Sequence, residues 1–440
     1  MSKMVLTIAN TNEFMYIWQT ELISCNKMAQ LSNVKSSLLR RFVAPLIYLL
    51  VYATLVTSLS ECLSKNQTVI IIESAIYDGV QRFFTIDYQG NSFRYKQFEK
   101  HLETISAINL DANYFDLENE RVRRDSLAKL LERLARDPKP EKIFLDYLFV
   151  PPTTEWDSAL IAAIKSLEDR LVMPYELKGT YGKRVEDTKV TGKLDLIYEP
   201  KHAGYLYTDF FSNYDPVYRY IKTGPVLDTL PSCLDQLTRK IPGEGYYEGW
   251  EEVPDLLEIN YVLRNEKSSH KRQGINIIDA SQIVKDSNPL DLQKVIFIGL
   301  FDKVHGKYSQ PIDEFPTPVS SEMRGIYRII NAYLNVISCT WLKKIGIGFV
   351  FGVNIILALT ALGYLKKARG IWARFSAAIL FFKIKYINTI IAALVFIFLI
   401  FGLYLIMHIK FPILIPTLFF VMNPTLYFII KKSFYKKSSL

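Results

Sequence analysis

The chain has little with which to do covalent chemistry. Its 440 residues hold four cysteines and five histidines. No GxxxxGK[ST] loop, GxSxG elbow, HExxH pair or CxxC pair occurs in it, so the usual phosphate cradle, acyl-transfer nucleophile and zinc site are missing. The histidines, His101, His202, His270, His305 and His408, are scattered, and none is paired at ligand spacing. The glycines of Gly243–Gly249 (GEGYYEG) lack the spacing and the following helix that phosphate binding needs. No cofactor, no metal and no enzymatic activity are expected.

A second absence is more informative. From Lys343 to Leu440 there is no Asp or Glu, while 13 Lys and Arg occur there. The net charge of +9 therefore belongs to that region, and the first 342 residues carry 40 basic against 44 acidic side chains. A nucleic-acid partner is excluded, because no basic surface is left to bind one. Four runs lack charge altogether: Phe42–Ser60, Ile345–Leu365, Tyr386–Met407 and Phe411–Ile430. At 19 to 22 residues each, they suit helices crossing ~30 Å of hydrocarbon. The lipid bilayer is the first expected partner. Within these runs the polar side chains include Asn354, Asn388 and Asn423, too few for an ion pathway.

The flanks set the orientation. Lys35, Arg40 and Arg41 precede the first span; Lys366, Lys367 and Arg369 follow the second; Lys431, Lys432, Lys436 and Lys437 follow the fourth. These clusters place both termini in the cytoplasm and residues 61–342 outside, with Lys343 and Lys344 dissenting. The expected order is a cytoplasmic tail (1–41), span one (42–60), an external domain (61–342), span two (345–365), an interfacial cytoplasmic segment (366–385), span three (386–407), span four (411–430) and a basic tail (431–440). His408-Ile409-Lys410 alone joins spans three and four. Cys62 and Cys339 would both lie at the outer membrane surface, which makes them a candidate disulfide.

The external region alternates strand and helix. Strands are predicted at Val69–Ile72, Ile105–Asn109, Lys142–Leu145, Leu171–Met173, Leu194–Tyr198, Leu257–Val262 and Val295–Ile298. Helices are predicted at Glu73–Phe84, Asp125–Arg136, Asp157–Leu167 and Met323–Leu334. Leu127, Leu130, Leu131 and Leu134 give the second helix an apolar stripe. This spacing implies a parallel α/β sheet, whose carboxyl strand ends, near Asp111, Asp146 and Gly299, are where ligands are usually received.

The same residues resemble the type-two CHASE domain, an extracellular sensory domain of bacterial receptors. The likeness begins at Glu73-Ser74-Ala75-Ile76-Tyr77-Asp78 and Arg82. It runs through Arg124, Ile143-Phe144-Leu145-Asp146, Asp157 with Leu160 and Ala163, and His202-Ala203-Gly204-Tyr205 with Asp215 and Arg219. Asn260-Tyr261 and Asp279-Ala280-Ser281 follow. It is strongest from the strand ending at Gly299 through Asp313–Pro318 to Met323 and Gly325. One span before the sensor and three after match the family's layout. The Phe301–Ile312 loop is long, the family's tryptophan-proline pair is replaced by Val122-Arg123-Arg124, and no output domain follows Ile430.

The resemblance implies an α/β extracytoplasmic sensor domain on an α-helical transmembrane region, in the inner membrane of a bacterium. It would bind a ligand or partner and signal to a separate membrane or cytoplasmic output protein, with a homo-oligomer as a further partner state. Asp146, Asp157, Arg219, Asp313, Thr317 and Arg324 are the candidate ligand-binding or transmission residues; structural hydrogen bonding is the alternative for each. A structural or scaffolding subunit of a membrane complex is the alternative function.

Overall fold

The computed structural model of the chain describes residues 37–63, 66–85, 98, 100–116, 121–147, 149, 157–175, 198, 200–206, 208–212, 215–223, 231–239, 253–263, 275–286, 290–302, 314–318, 320, 323–359 and 387–419. Two compact units are present, one of residues 1–58, 351–389 and 419–440, the other of residues 59–350 and 390–418.

Helix α1 (Ser37–Leu63) contains the described stretch, Leu46–Leu63, that is long and apolar enough to cross a membrane. Helix α2 (Gln67–Thr85) follows at once. It corrects the strand expected at Val69–Ile72, which is helical. The β-branched run Val69-Ile70-Ile71-Ile72 favours a strand locally, but Asn66 overrides it. Its Oδ1 accepts the N–H groups of Thr68 (3.0 Å) and Val69 (3.4 Å), the arrangement of a helix N-cap.

The second unit is built on a six-stranded parallel sheet in the order β10-β1-β11-β4-β5-β6. Its strands are β1 (Ile105–Asn109), β4 (Lys142–Leu145), β5 (Leu171–Tyr175), β6 (His202–Tyr205), β10 (Asn276–Asp279) and β11 (Val295–Gly299). A two-stranded ribbon of β2 (Phe115–Asp116) and β3 (Arg121–Val122) follows β1. A second sheet orders β7 (Thr208–Ser212), β8 (Asp215–Lys222) and β9 (Leu256–Glu258). Of the strand expected at Leu257–Val262, only the first part is one. Leu194–Tyr198 lies largely outside the described residues.

Side chains alternate between two cores, as a pleated strand requires. Ile143, Leu145, Leu171, Met173, Ile296 and Ile298 face α3 (Arg124–Ala135), α4 (Asp157–Ser166) and α6 (Ala280–Lys285). Phe144, Val172, Val295 and Phe297 face α5 (Cys233–Thr238) and α7 (Gly325–Ile337). β11 is apolar at every position because it is central and covered on both faces. Helix α7 is preceded by the short antiparallel pair β12 (Glu314–Phe315) and β13 (Met323–Arg324), so the helix expected from Met323 starts at Gly325.

After α7 come β14 (Lys343–Lys344), α8 (Ile347–Leu359), α9 (Ile387–Met407) and β15 (Ile409–Lys410). The described apolar parts of the two helices, Ile347–Leu359 and Phe396–Met407, are shorter than a membrane crossing. In the first unit, Asn354 is fully buried and its Nδ2 donates to Thr57 Oγ1 at 3.0 Å. The segment 366–385, most of span four beyond residue 419 and residues 1–36 lie outside the described residues.

Gly204 marks the tightest approach in the sheet. A Cβ there would lie 2.5 Å from the Cys233 nitrogen and 2.6 Å from the Ser232 carbonyl carbon, so α5 rests directly on β6. Gly204→Ala is expected to lower the apparent unfolding temperature by about 4–8 °C. Gly79→Ala, on α2 with nothing within 4 Å, is expected to leave it unchanged or raise it. Circular-dichroism melts in detergent check both.

Candidate functional site

The face that α2 buries is polar. Ser74, Tyr77, Asp78 and Gln81 are its buried residues, at helical spacing i, i+3, i+4, i+7. Each buried polar group needs a partner, and those partners come from distant parts of the second unit. Glu73 Oε1 accepts the Leu414 N–H at 3.1 Å. Tyr77 Oη donates to the Phe411 carbonyl at 2.6 Å and accepts the Phe411 N–H at 2.9 Å. Its ring packs against Tyr404, 4.7 Å between centroids, and lies 5.6 Å from Lys410 Nζ. Asp78 Oδ2 pairs with Arg219 on β8 at 2.5 Å, with the two side chains 13% and 3% exposed. Arg82 Nε donates to the Pro318 carbonyl at 2.7 Å. One helix thus grips the segment after β15, the second sheet and the proline loop before α7.

Beneath it, α7 holds a strand-like segment by side chains alone. After β9 the Ile259 N–H still bonds to the Arg219 carbonyl of β8 at 2.8 Å, but residues 260–263 belong to no strand. Asn331 Oδ1 accepts the Val262 and Leu263 N–H groups (2.8 and 2.9 Å), and its Nδ2 donates to the Leu263 carbonyl at 3.0 Å. Asn335 Oδ1 accepts the Asn260 N–H at 2.6 Å and returns a bond to the Asn260 carbonyl at 3.0 Å. The two amides, one helical turn apart, imitate a β partner.

The Asn260 side chain then ties this segment to the turn after α9. Its Nδ2 lies 3.0 Å from both the Thr340 carbonyl and His408 Nδ1. Lys410 Nζ pairs with Glu258 Oε1 at 2.5 Å, and the His408 carbonyl accepts the Lys343 N–H at 2.8 Å. β14 and β15 form a parallel bridge, Lys343↔Ile409 and Lys344↔Lys410. Cys339 (φ 53°) and His408 (φ 56°), both at this junction, have left-handed backbones. Cys339 stands where a helix ends in a Schellman turn, with Thr340 N–H bonded to the Asn335 carbonyl and Cys339 N–H to the Val336 carbonyl.

Burial governs the ionisable groups. Desolvation raises the Glu73 carboxyl above its ordinary value, partly opposed by the Leu414 N–H and Lys410. It also pushes the Tyr77 and Tyr261 hydroxyls up, although Arg328 and Arg219 pull the second back. Arg328 lies 3.6 Å over the Phe315 ring, a cation–π contact. Removing one partner of a buried ion pair such as Asp78–Arg219 costs about 3–5 kcal/mol, because the other charge is left buried.

The six residues singled out in the sequence divide. Arg219 belongs to the junction. Thr317 is buried in the proline loop, where its Oγ1 donates to the Ser320 carbonyl at 3.1 Å. Arg324 is fully buried at the start of α7, and its backbone pairs with Glu314. Asp157 pairs with Arg124, joining the first residues of α4 and α3 on the opposite side of the sheet. Asp146 follows β4, half-buried, with its N–H on the Ile298 carbonyl at 2.8 Å. Asp313 lies outside the described residues. Cys62 and Cys339 are both free thiols, which corrects the candidate bridge; Cys62 is exposed, and the Cys339 thiol turns back toward the Val336 carbonyl.

At the carboxyl end of the main sheet, Asn109 Nδ2 donates to Asp279 (2.9 Å) and Asp302 (2.7 Å). Among the described residues, no group of three or more His, Cys, Asp and Glu is placed to hold a metal ion. Glu73, Tyr77, Gln81, Asn260, Asn331, Asn335, His408 and Lys410 are not among the candidate site residues of the sequence reading. The usable signals were two: Asn331 and Asn335 at i, i+4 in an apolar helix, and Glu73, Tyr77 and Gln81 at successive turns of α2. Compared with protein-family models, curated proteins and solved structures, the chain matches none.

Two outcomes are expected. Glu73→Gln keeps an oxygen for the Leu414 N–H and removes a buried charge. Because the folded-state value is raised, the glutamate costs stability as pH rises above its ordinary 4.5. The variant should therefore melt higher than wild type at pH 7, with the difference vanishing below that value, in melts across a pH series. Cys339→Gly relieves the left-handed strain and should add about 1 kcal/mol, read as a raised melting temperature, whereas Cys339→Val should lower it.

Proposed function

We propose that the chain is a membrane-anchored extracytoplasmic sensory protein, similar to CHASE-type receptors, that binds a ligand or partner and signals to a separate output protein. It sits in a bacterial inner membrane as a multi-pass protein, both termini cytoplasmic, and does no catalysis of its own. The observation that carries this reading is the triple attachment of α2. The helix that follows the apolar helix α1 bonds to the segment after β15 through Glu73 and Tyr77, to the second sheet through Asp78, and to the proline loop through Arg82. A displacement of the α/β layers at β8 or the proline loop would strain bonds reaching that segment. A ligand shifts such an element by its different affinity for the two arrangements.

The basic pair that opposed the expected orientation supports the same reading. Lys343 is bonded to the turn after α9, and its ammonium lies 5.3 Å from the Trp341 ring, a pairing suited to an outer interface. The same matched ion pairs would also serve a fixed docking platform, so a structural subunit of an inner-membrane complex is the second reading.

Gentle detergent extraction followed by mass spectrometry of what copurifies decides between them. The sensory reading expects a kinase, cyclase or comparable output enzyme in fixed ratio. A stoichiometric assembly containing no signalling enzyme overturns it in favour of the structural subunit.

A further inference from the structure

At the amino end of the main sheet, four cations each have an acid. Lys139 pairs with Asp291 (3.3 Å), Lys201 with Asp169 (2.8 Å), Arg239 with Asp235 (2.6 Å) and Lys294 with Glu141 (2.8 Å). The side chains of these four cations are between 47% and 64% exposed where they form these pairs with Asp291, Asp169, Asp235 and Glu141, so the pairs contribute little. A further cation at this end, Lys142, is 5% exposed as a residue and has no hydrogen-bond or acidic partner among the described residues.

A second orphan faces the same way. Phe144 pairs with Val172 and Val172 with His202 across β4, β5 and β6, so all three side chains share one face of the sheet. Lys142 stands two residues before Phe144 and shares that face too. His202 Nδ1 lies 3.3 Å from Gln236 Oε1 on α5, and its Nε2 is buried with no hydrogen-bond partner among the described residues. Burial and the neighbouring Arg239 and Lys201 hold the Lys142 ammonium below its ordinary value; burial and Lys142 do the same to His202. An anion here would reverse both effects.

The geometry points to an oxyanion site between Lys142 and His202, beside α5, that takes a phosphate group. Phosphate suits the pair because its oxygens accept from the ammonium while its hydroxyl can donate to an imidazole nitrogen. Arg239, at the end of α5, adds positive potential. The site rests on the charge arrangement of the sheet and holds whether or not the protein signals.

The test is calorimetric titration of the full-length chain in detergent with inorganic phosphate at constant ionic strength. Saturable binding at one site is expected, and sulfate, which has no hydroxyl at neutral pH, should bind more weakly. Methyl phosphate in parallel separates a monoester from free phosphate, saturable binding of either supporting the site. Lys142→Met should weaken phosphate binding by at least about tenfold, and His202→Phe should weaken it as well. Lys201→Gln, at an exposed pair, should change it less than about twofold. Should Lys142→Met fail to fold, His202→Phe and the sulfate comparison carry the decision. No saturable binding, equal binding of sulfate, or unchanged affinity in both site variants overturns the proposal.

Discussion

The partners that Glu73, Tyr77, Asp78 and Arg82 require fix where α2 lies. Four contacts along this helix, at Glu73, Tyr77, Asp78 and Arg82, are made to three separate stretches of chain. None of these could slide by a residue without stranding a charge or a hydroxyl, since helical neighbours point about 100° apart. An apolar interface of the same area would allow repacking; this one specifies a register. The α7 asparagines impose the same discipline on residues 260–263, and Asn260 passes it to His408. The second unit is therefore organised from its polar contacts outward, with the apolar cores filling the two faces of the sheet.

That arrangement accounts for what the sequence revealed and what it concealed. β1, β4 and β11 were legible almost to the residue, because a strand covered on both faces is a short apolar run with sharp ends. The stripe of Leu127, Leu130, Leu131 and Leu134 announced α3 equally clearly. Reading by hydrophobic period fails where the period is polar. The stripe Ser74, Tyr77, Asp78, Gln81 lies within the helix read at Glu73–Phe84, but ahead of it the β-branched Val69–Ile72 dominated and was read as a strand. Leu257–Val262 failed for a related reason: its sequence suits a strand, but beyond Ile259, whose N–H bonds to the Arg219 carbonyl of β8, its partners are asparagine side chains.

The candidate site was legible in one residue and in a neighbourhood. Arg219 was picked out, and Thr317 and Arg324 lie in the segment leading into α7. Its counterpart Asp78 was seen only as part of a family-like string, since nothing in one sequence reveals that residues 141 apart will meet. Cys62 and Cys339 show the opposite error. Both flank apolar runs, yet chain position says nothing of thiol direction, and Cys339 is committed to ending α7.

The bond between Tyr77 and Phe411 joins residues 334 apart in the chain. A ribosome adding about 5–20 residues per second needs roughly 20–70 seconds to make the second partner after the first. For that interval α2 exists with its tyrosine and glutamate unmatched. The sheet, whose last strand ends at Gly299, is complete well before the segment after β15 emerges. Assembly is therefore ordered in time, with the α/β layers first and the junction last. A chain interrupted before Phe411 would present a finished sheet beside an open polar groove, a form that a quality-control protease could tell from the completed protein.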